Sequence, residues 1–434
     1  MELEAATERA TPKRCALIST VLVMWAMLLL FAAPEQAIAD SEDFVLLADT
    51  HLGQPYKPSY KETEHALKWA VKFNNLKAVC VAGDLTDRGS SDSYDEWTSL
   101  CNSILHGPKH IQALGNHDTG NNGEYLRYFP KLTVAQGYKL FKQINGGSPT
   151  SFTRFETANV ITLGGVHAKG YHVITYEMLK QLNSRLWVTA REGKMAIVVC
   201  HYPYDVEALN IRSKLMGVLR SYPNVIYVSG HKHQYATSRQ CQTAKPYCTT
   251  TPFKRNGFSR KTRYSFRSIG VNACSAYRAG NGTSYADALT IKENGKITVQ
   301  KWNLTKNCIE KKWTFEKAKS TVAVKSVPAS VRYPKKDVLE YRITFSDGKA
   351  YGGITSGGTF ALQSGHTKKF SNIPAGVLIT VEQVRAPEGW SKADTRYIEA
   401  GTKTRTLTMK TRYSKPASSS SKRLRTTSAS HVSS

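Results

Sequence analysis

Up to about residue 305, hydrophobic positions fall into short unbroken runs separated by longer stretches of helical period. FVLLA (44–48), KAVCVAG (77–83), HIQALG (110–115), MAIVVC (195–200) and NVIYVS (224–229) are short and apolar enough for strands covered on both faces. Between them, EHALKWAVKF (64–73), SYDEWTSLCNSIL (93–105), TYEMLKQLNSRLWVTA (175–190) and VEALNIRSKLMGVLR (206–220) space apolar residues as helices do, with Ser93 or Asp92 as the expected N-cap of the second. Strands alternating with helices imply a largely parallel sheet. RYSFRSIGVNAC (263–274) and DALTIKENGKITVQKWNL (287–304) read as antiparallel strands, the latter a hairpin turning at Glu293-Asn294-Gly295. The fold class expected is α/β, a doubly covered mixed sandwich in which these strands form the second sheet.

Composition divides the rest. Residues 318–337 (AKSTVAVKSVPASVRYPKKD) hold two prolines among small and basic residues and read as a linker with some strand character. It separates a domain over 40–317 from a Gly- and Thr-rich stretch, 338–413, with alternating strands and no credible helix, expected to form a small all-β sandwich. Residues 414–434 are Ser-rich and basic, a composition expected to be disordered. At the other end, RATPKR precedes an apolar run from Cys15 to Ala33 and the triplet Ala37-Ile38-Ala39. That order fits a secretory signal peptide over 1–39 cut before Asp40, with an uncleaved anchor as the competing reading. Both place the remainder outside the cytoplasm, secreted or at the cell surface.

A formal net charge of +27 on 434 residues suggests an anionic neighbour, such as non-specific contact with a cell-wall polymer or membrane surface. No helix-turn-helix, zinc-finger or RNA-binding signature marks a specific nucleic-acid reader. Eight cysteines become seven if the signal peptide leaves. Cys241 and Cys248 flank a loop and are the best disulfide pair; Cys80 and Cys200 read as buried thiols, and pairing of Cys274 with Cys308 stays open.

The chemistry lies where the strand-like runs stop. FVLLA leads to Asp49 and His51, KAVCVAG to Asp84, HIQALG to Asn116-His117-Asp118, MAIVVC to His201, and NVIYVS to His231 and His233. In open α/β sheets, sites form outside the carboxyl ends of strands, so these endings should converge. Seven oxygen and nitrogen donors (Asp49, His51, Asp84, Asn116, His201, His231, His233) are too many for one ion. Two divalent ions sharing Asp84 would have four protein ligands each, and such a pair holds a bridging hydroxide and clamps a phosphate for in-line attack. Imidazole and carboxylate together suit Mn, Fe, Zn or Co.

In this order, DTH, GDLTDRG, GNHD, the lone histidine after VVC, and GHKH resemble the calcineurin-like metallophosphoesterase superfamily over about residues 43–305, closest in pattern to its phosphodiesterase-like branch. The resemblance implies a four-layer αββα metallophosphoesterase sandwich. It assigns Asp49, His51, Asp84 and His233 to one ion and Asp84, Asn116, His201 and His231 to the other. It makes His117 the group facing the leaving oxygen and Asp118 the carboxylate orienting that imidazole. Arg88 becomes a candidate phosphate ligand, with pairing to a nearby carboxylate as the alternative. Purple acid phosphatases have a ligating tyrosine three residues after the shared aspartate; here that residue is Asp87, which argues against an iron–tyrosinate site. The expected function is hydrolysis of a phosphodiester such as a nucleotide. The alternatives are a 5'-nucleotidase-type phosphomonoesterase, and a surface adhesin using the domain as a scaffold. Tyr202, Tyr204 and Tyr235 flank ligands, either stacking on a base or packing the rim. Further on, FSNIPAG, VLITVEQ and APEGW resemble Cna-B-type domains of Gram-positive surface proteins. Glu382 stands where the acid of their isopeptide bond would be, but VLEYRITF lacks the lysine and RTLTMKTRY the asparagine.

Overall fold

A computed structural model of the chain describes residues 41–53, 58–119, 134–144, 150–164, 166–168, 171–204, 209–233, 266–280 and 282–415. The expected signal peptide, the Cys241–Cys248 pair, Tyr235 and the tail beyond residue 415 lie outside the described residues.

The strands in chain order are β1 (Ser41–Leu47), β2 (Leu76–Val81), β3 (Lys109–Gln112), β4 (Phe152–Arg154), β5 (Ala158–Thr162), the hairpin β6 (Val166–Ala168) and β7 (Tyr171–Val173), β8 (Met195–Val199), β9 (Val225–Ser229), β10 (Arg267–Gly270), β11 (Tyr285–Lys292), β12 (Lys296–Asn303) and β13 (Cys308–Glu316). Apart from the hairpin they build two sheets, one ordered β13-β12-β11-β1-β2-β3 and the other β10-β9-β8-β5-β4. Alternation along each strand sorts side chains to opposite faces. Phe44 and Leu46 of β1 meet Val160, Ile197 and Val228 of the other sheet in a shared core. Val45 and Leu47 point the other way, against Leu67 of the helix Pro58–Ala70 and Trp97 of the helix Ser91–Ile104. On the far side, Ile161, Ala196 and Val198 pack on Leu182 of the helix Tyr176–Arg191 and Leu215 of the helix Leu209–Arg220. Three apolar layers between four layers of backbone give the αββα sandwich.

Three expectations change. The strands expected to form a second sheet divide: β11 and β12 extend the sheet of β1, β2 and β3, and β10 joins β8 and β9, because β1 takes β11 as its antiparallel neighbour. The helix Ser91–Ile104 is capped by Ser90, whose side chain accepts from Ser93 N, rather than by Ser93 or Asp92. Ser90 is the residue that keeps extended backbone before the helix begins, as a cap requires. β10, read as antiparallel, pairs parallel to β9 from Arg267↔Ile226 to Gly270↔Ser229. Its run of alternating residues carries no sign of strand direction. Cys274 is buried and Cys308 exposed, and both are free thiols, so they form no disulfide.

An all-β domain follows. β14 (Lys319–Pro328) lies in the stretch read as linker, yet it is the central strand of a sheet with β17 (Thr367–Pro374) and β20 (Arg405–Thr411). It runs antiparallel to β17 and parallel to β20. A second sheet orders β16 (Thr359–Gln363), β15 (Val338–Phe345), β18 (Leu378–Arg385) and β19 (Arg396–Glu399), all antiparallel. Val322, Val324, Tyr341, Ile343, Phe370, Val381 and Met409 fill the space between the two. The first strand of this domain is therefore β14, not VLEYRITF. Its core residues are Val322 and Val324 on one side only, too sparse a signal beside two prolines.

The domains meet through the end of the helix Tyr176–Arg191. Arg191 Nη2 lies 2.9 Å from Glu399 Oε2, Ser346 Oγ donates to Arg191 O at 2.7 Å, and Asn224 Oδ1 accepts from Ala318 N at 2.7 Å. Lys317 Nζ donates to Gly193 O at 2.6 Å.

Candidate metal centre

β1, β2 and β3 run parallel in one sheet, and β8 and β9 run parallel in the other, so five carboxyl ends open on the same edge of the sandwich. All seven expected ligands are there. Asp49, His51, Asp84 and His233 each offer one atom within 4.8 Å of the others'. His233 Nε2 is 3.4 Å from Asp49 Oδ1, and His51 Nε2 is 3.9 Å from Asp84 Oδ2. Beside this set, His201 Nε2 lies 3.2 Å from Asp84 Oδ2, 3.0 Å from Asn116 Oδ1 and 3.2 Å from His231 Nδ1. Asp84 thus stands between two groups of donors.

The local backbone shows what this convergence requires. Asp49, His51, Asp84, His231 and His233 all have positive φ, between 49° and 72°. Non-glycine residues rarely adopt this region, and strain of that kind collects at functional sites. Here the left-handed residues after β1, β2 and β9 swing side chains back over the sheet edge. Gly115 closes the cluster from below: a Cβ there would sit 2.2 Å from Asp84 N and Oδ1.

Outer partners fix which ring nitrogen faces the centre. His201 Nδ1 is 2.9 Å from Ala82 O and His51 Nδ1 is 3.1 Å from Asp87 Oδ1, so each directs Nε2 inward. His51 Nε2 is buried without a hydrogen-bond partner. Burial opposes ionisation of Asp84, but the imidazoles of His201, His117 and His51 outweigh it and hold the carboxyl well below the usual range. Burial pushes the His201 imidazolium down, yet Asp84 and Asp49 outweigh it and carry its pKa to about 9. His51 and His231 are pushed down to about 4, by burial first. Two buried carboxylates therefore demand positive charge at their shared edge, while two histidines offer neutral lone pairs. An orphaned buried nitrogen, three donors within 3.2 Å of one another and mixed imidazole–carboxylate chemistry fit divalent cations.

One expected role is overturned. Asp118 does not orient His117. Its Oδ1 accepts from Thr86 N at 2.9 Å and its Oδ2 from Gly115 N at 2.8 Å, tying the loop after β2 to the loop after β3. His117 and Asp118 sit in the 3₁₀ turn His117–Thr119, where consecutive side chains point roughly 120° apart. His117 is held instead by Asp87: Nδ1 lies 2.9 Å from its backbone oxygen and 3.5 Å from its Oδ1. Asp87 also pairs with Arg278, from the short helix Ala276–Ala279 after β10. In the sequence Asp87 stands out only as the absence of a tyrosine, and Arg278 does not stand out at all; nothing near either residue in the chain joins them. Arg88 lies at the rim, one-quarter exposed, with Nε 3.7 Å from Asp87 Oδ2. Tyr202 is buried against His231 and His201, with its hydroxyl 3.3 Å from Asn116 Oδ1, whereas Tyr204 belongs to the helix-side core.

The two-sheet sandwich brings seven metal-type donors to one edge, an arrangement suited to divalent cations. Residues 43–235 match the family model of calcineurin-like phosphoesterases. Among solved structures, a purple acid phosphatase from yellow lupin (Lupinus luteus) seeds is similar at 14% identity and a TM-score of 0.44, over 64% of this chain and 54% of its own. The chain thus spans about half the length of that enzyme. The major pilin of Streptococcus pyogenes (13% identity, TM-score 0.20, 30% of this chain and 70% of its own) and the shaft pilin of Lactobacillus rhamnosus GG (11%, 0.21, 30% and 65%) are also similar. No curated protein matches the chain.

Proposed function

We propose that the domain hydrolyses phosphodiesters with two divalent ions, one held by Asp49, His51, Asp84 and His233 and the other by Asp84, Asn116, His201 and His231. The observation that carries this reading is the position of Asp84 between two donor sets, with His201 Nε2 and His51 Nε2 on either side at 3.2 and 3.9 Å from Oδ2. Bound ions of this kind supply a nucleophilic water at neutral pH and polarise phosphate oxygens. The protein's own residues do the rest. His117 keeps Nδ1 on Asp87 and turns Nε2 toward Asp84, 3.9 Å away, where it gives a proton to the leaving oxygen. Burial works against the charged form of this imidazole, but Asp84 and Asp87 outweigh it and raise its pKa, which suits an acid. Arg88, on the rim, takes a phosphate oxygen. Preference for a diester rests on the sequence, where the expected export and the DTH, GNHD and GHKH motifs are closest in pattern to the phosphodiesterase-like branch. The sequence over 1–39 supports export, to the medium or the cell surface.

The test is the ratio of diester to monoester hydrolysis of aryl phosphates by manganese-loaded protein, with Asp84→Asn as control. A ratio well above one is expected. A ratio well below one assigns a nucleotidase-type monoesterase, and Asp84→Asn turning over like wild type removes the dinuclear reading. Two bound ions with no turnover of either ester favour the adhesin alternative.

A further inference from the structure

The two sheets of the C-terminal domain differ in charge. The four strands β15, β16, β18 and β19 carry three acidic and three basic residues, and their outer face holds ion pairs such as Arg342–Glu382 and Lys392–Glu382. The three strands β14, β17 and β20 carry six lysines and arginines and not one aspartate or glutamate. Three of the six are engaged: Lys319 Nζ donates to Asn294 O, Arg405 Nη1 to Glu399 O, and Lys368 lies over the rings of Phe360 and Phe370.

The other three, Lys325, Lys369 and Lys410, are exposed. Register places them. Val322, Val324, Phe370, Leu407 and Met409 point into the core, so the alternate positions face outward. Lys369 stands beside Ala323, Lys325 lies two residues further along the central strand, and Lys410 stands beside Val327, two residues further again. The three lysines therefore make one diagonal row across three adjacent strands, at steps of roughly 8 Å. Thr321, Thr367, Ser371, Thr406 and Thr408 occupy the outward positions around the row.

We infer that this face binds a linear polyanion whose repeating phosphates are joined by polyols. A row of evenly stepped cations with no carboxylate on its strands complements a chain of evenly stepped anions. The hydroxyls match a polyol backbone. No aromatic side chain faces outward on these strands to stack a base, which is what single-stranded nucleic acid would use. This inference is independent of the phosphoesterase reading.

The experiment measures binding of the full chain to poly(glycerol phosphate) across a salt series, for wild type, for Lys325→Gln/Lys369→Gln/Lys410→Gln, and for the charge-matched Arg342→Gln/Lys392→Gln/Arg396→Gln on the opposite face. All three should melt alike. The lysine triple should bind about tenfold or more weakly at low salt, with its log K against log[salt] slope reduced by about 2 to 3, while the opposite-face triple stays near wild type. Equal loss in both triples would reduce the effect to net charge and overturn the assignment of a face. A single-stranded DNA of similar charge, bound more tightly than the polyol polymer and equally sensitive to the lysine triple, would overturn the partner class.

Discussion

Arg278 and Asp87 are 191 positions apart in the chain, yet the guanidinium of one closes on the carboxylate that also holds His51 at 3.1 Å and faces His117 at 3.5 Å. One carboxylate thereby sets both an expected ligand and the expected acid, and a residue beyond the second sheet sets the carboxylate. Arg278→Gln should lower kcat by about 10–100-fold with little change in KM, the size typical of outer partners of metal ligands. Arg278→Lys should recover part of the loss, and an effect confined to KM would contradict the positioning role.

Removal of Asp84, the ligand proposed to be shared, gives a readout that does not depend on turnover. Manganese should raise the melting temperature of the wild-type protein, because ions bind the folded state alone, by the equivalent of about 2–3 kcal/mol at a hundredfold excess over Kd. A chelator should reverse the rise. Asp84→Asn should show a smaller rise, and calorimetry should count fewer than two ions on it.

Gly115 lies where backbone and ligand nearly touch. Gly115→Ala should displace Asp84, since the new Cβ meets its N and Oδ1 at 2.2 Å. Overpacking of this kind costs about 1–3 kcal/mol. Metal affinity and activity should fall together, measured on the same preparation. A variant that keeps wild-type metal affinity would show that the loop after β3 moves freely.

Lys301 and Asp287 form a buried pair 3.3 Å apart behind the sheet edge, with Lys301 Nζ also donating to Gly270 O. Lys301→Met should destabilise the domain by about 3–5 kcal/mol, because Asp287 is left buried without its cation. Chemical denaturation measures this directly. Burial already raises the Asp287 pKa despite Lys301, so part of the loss should be regained at low pH, where the carboxyl takes up a proton.

The joint between the domains should respond to alkaline pH. Burial first, then Lys349 and Lys319, push the Lys317 ammonium from the ordinary 10.5 down to about 8. Between these values the unfolded chain binds a proton that the folded one has released, so stability rises with pH across that window. Below pH 8 both states are protonated and the cost is fully present. Wild type minus Lys317→Met should therefore give a melting-temperature difference that changes between about pH 8 and 10.5. A flat difference would place Lys317 in water.

The convergence of the seven donors is legible in the sequence because each comes just after a short apolar run, and parallel strands deliver the residues at their carboxyl ends to one edge. The same regularity yields the helices and the αββα layering. Asp118 is different: its adjacency to His117 in the chain suggests a partnership, and the 3₁₀ turn directs the two side chains apart. β14 is hidden because its apolar residues are few and prolines lie near it; its place is set by the two neighbours that bond to it. Strand direction, the pairing of Arg278 with Asp87, and the diagonal of Lys325, Lys369 and Lys410 all depend on register between segments far apart in the chain. Residue order alone specifies which chemistry is present and where each strand ends. Which side chains hold one another in place is settled only on folding, because those contacts come from the packing of two sheets and not from neighbours in the chain.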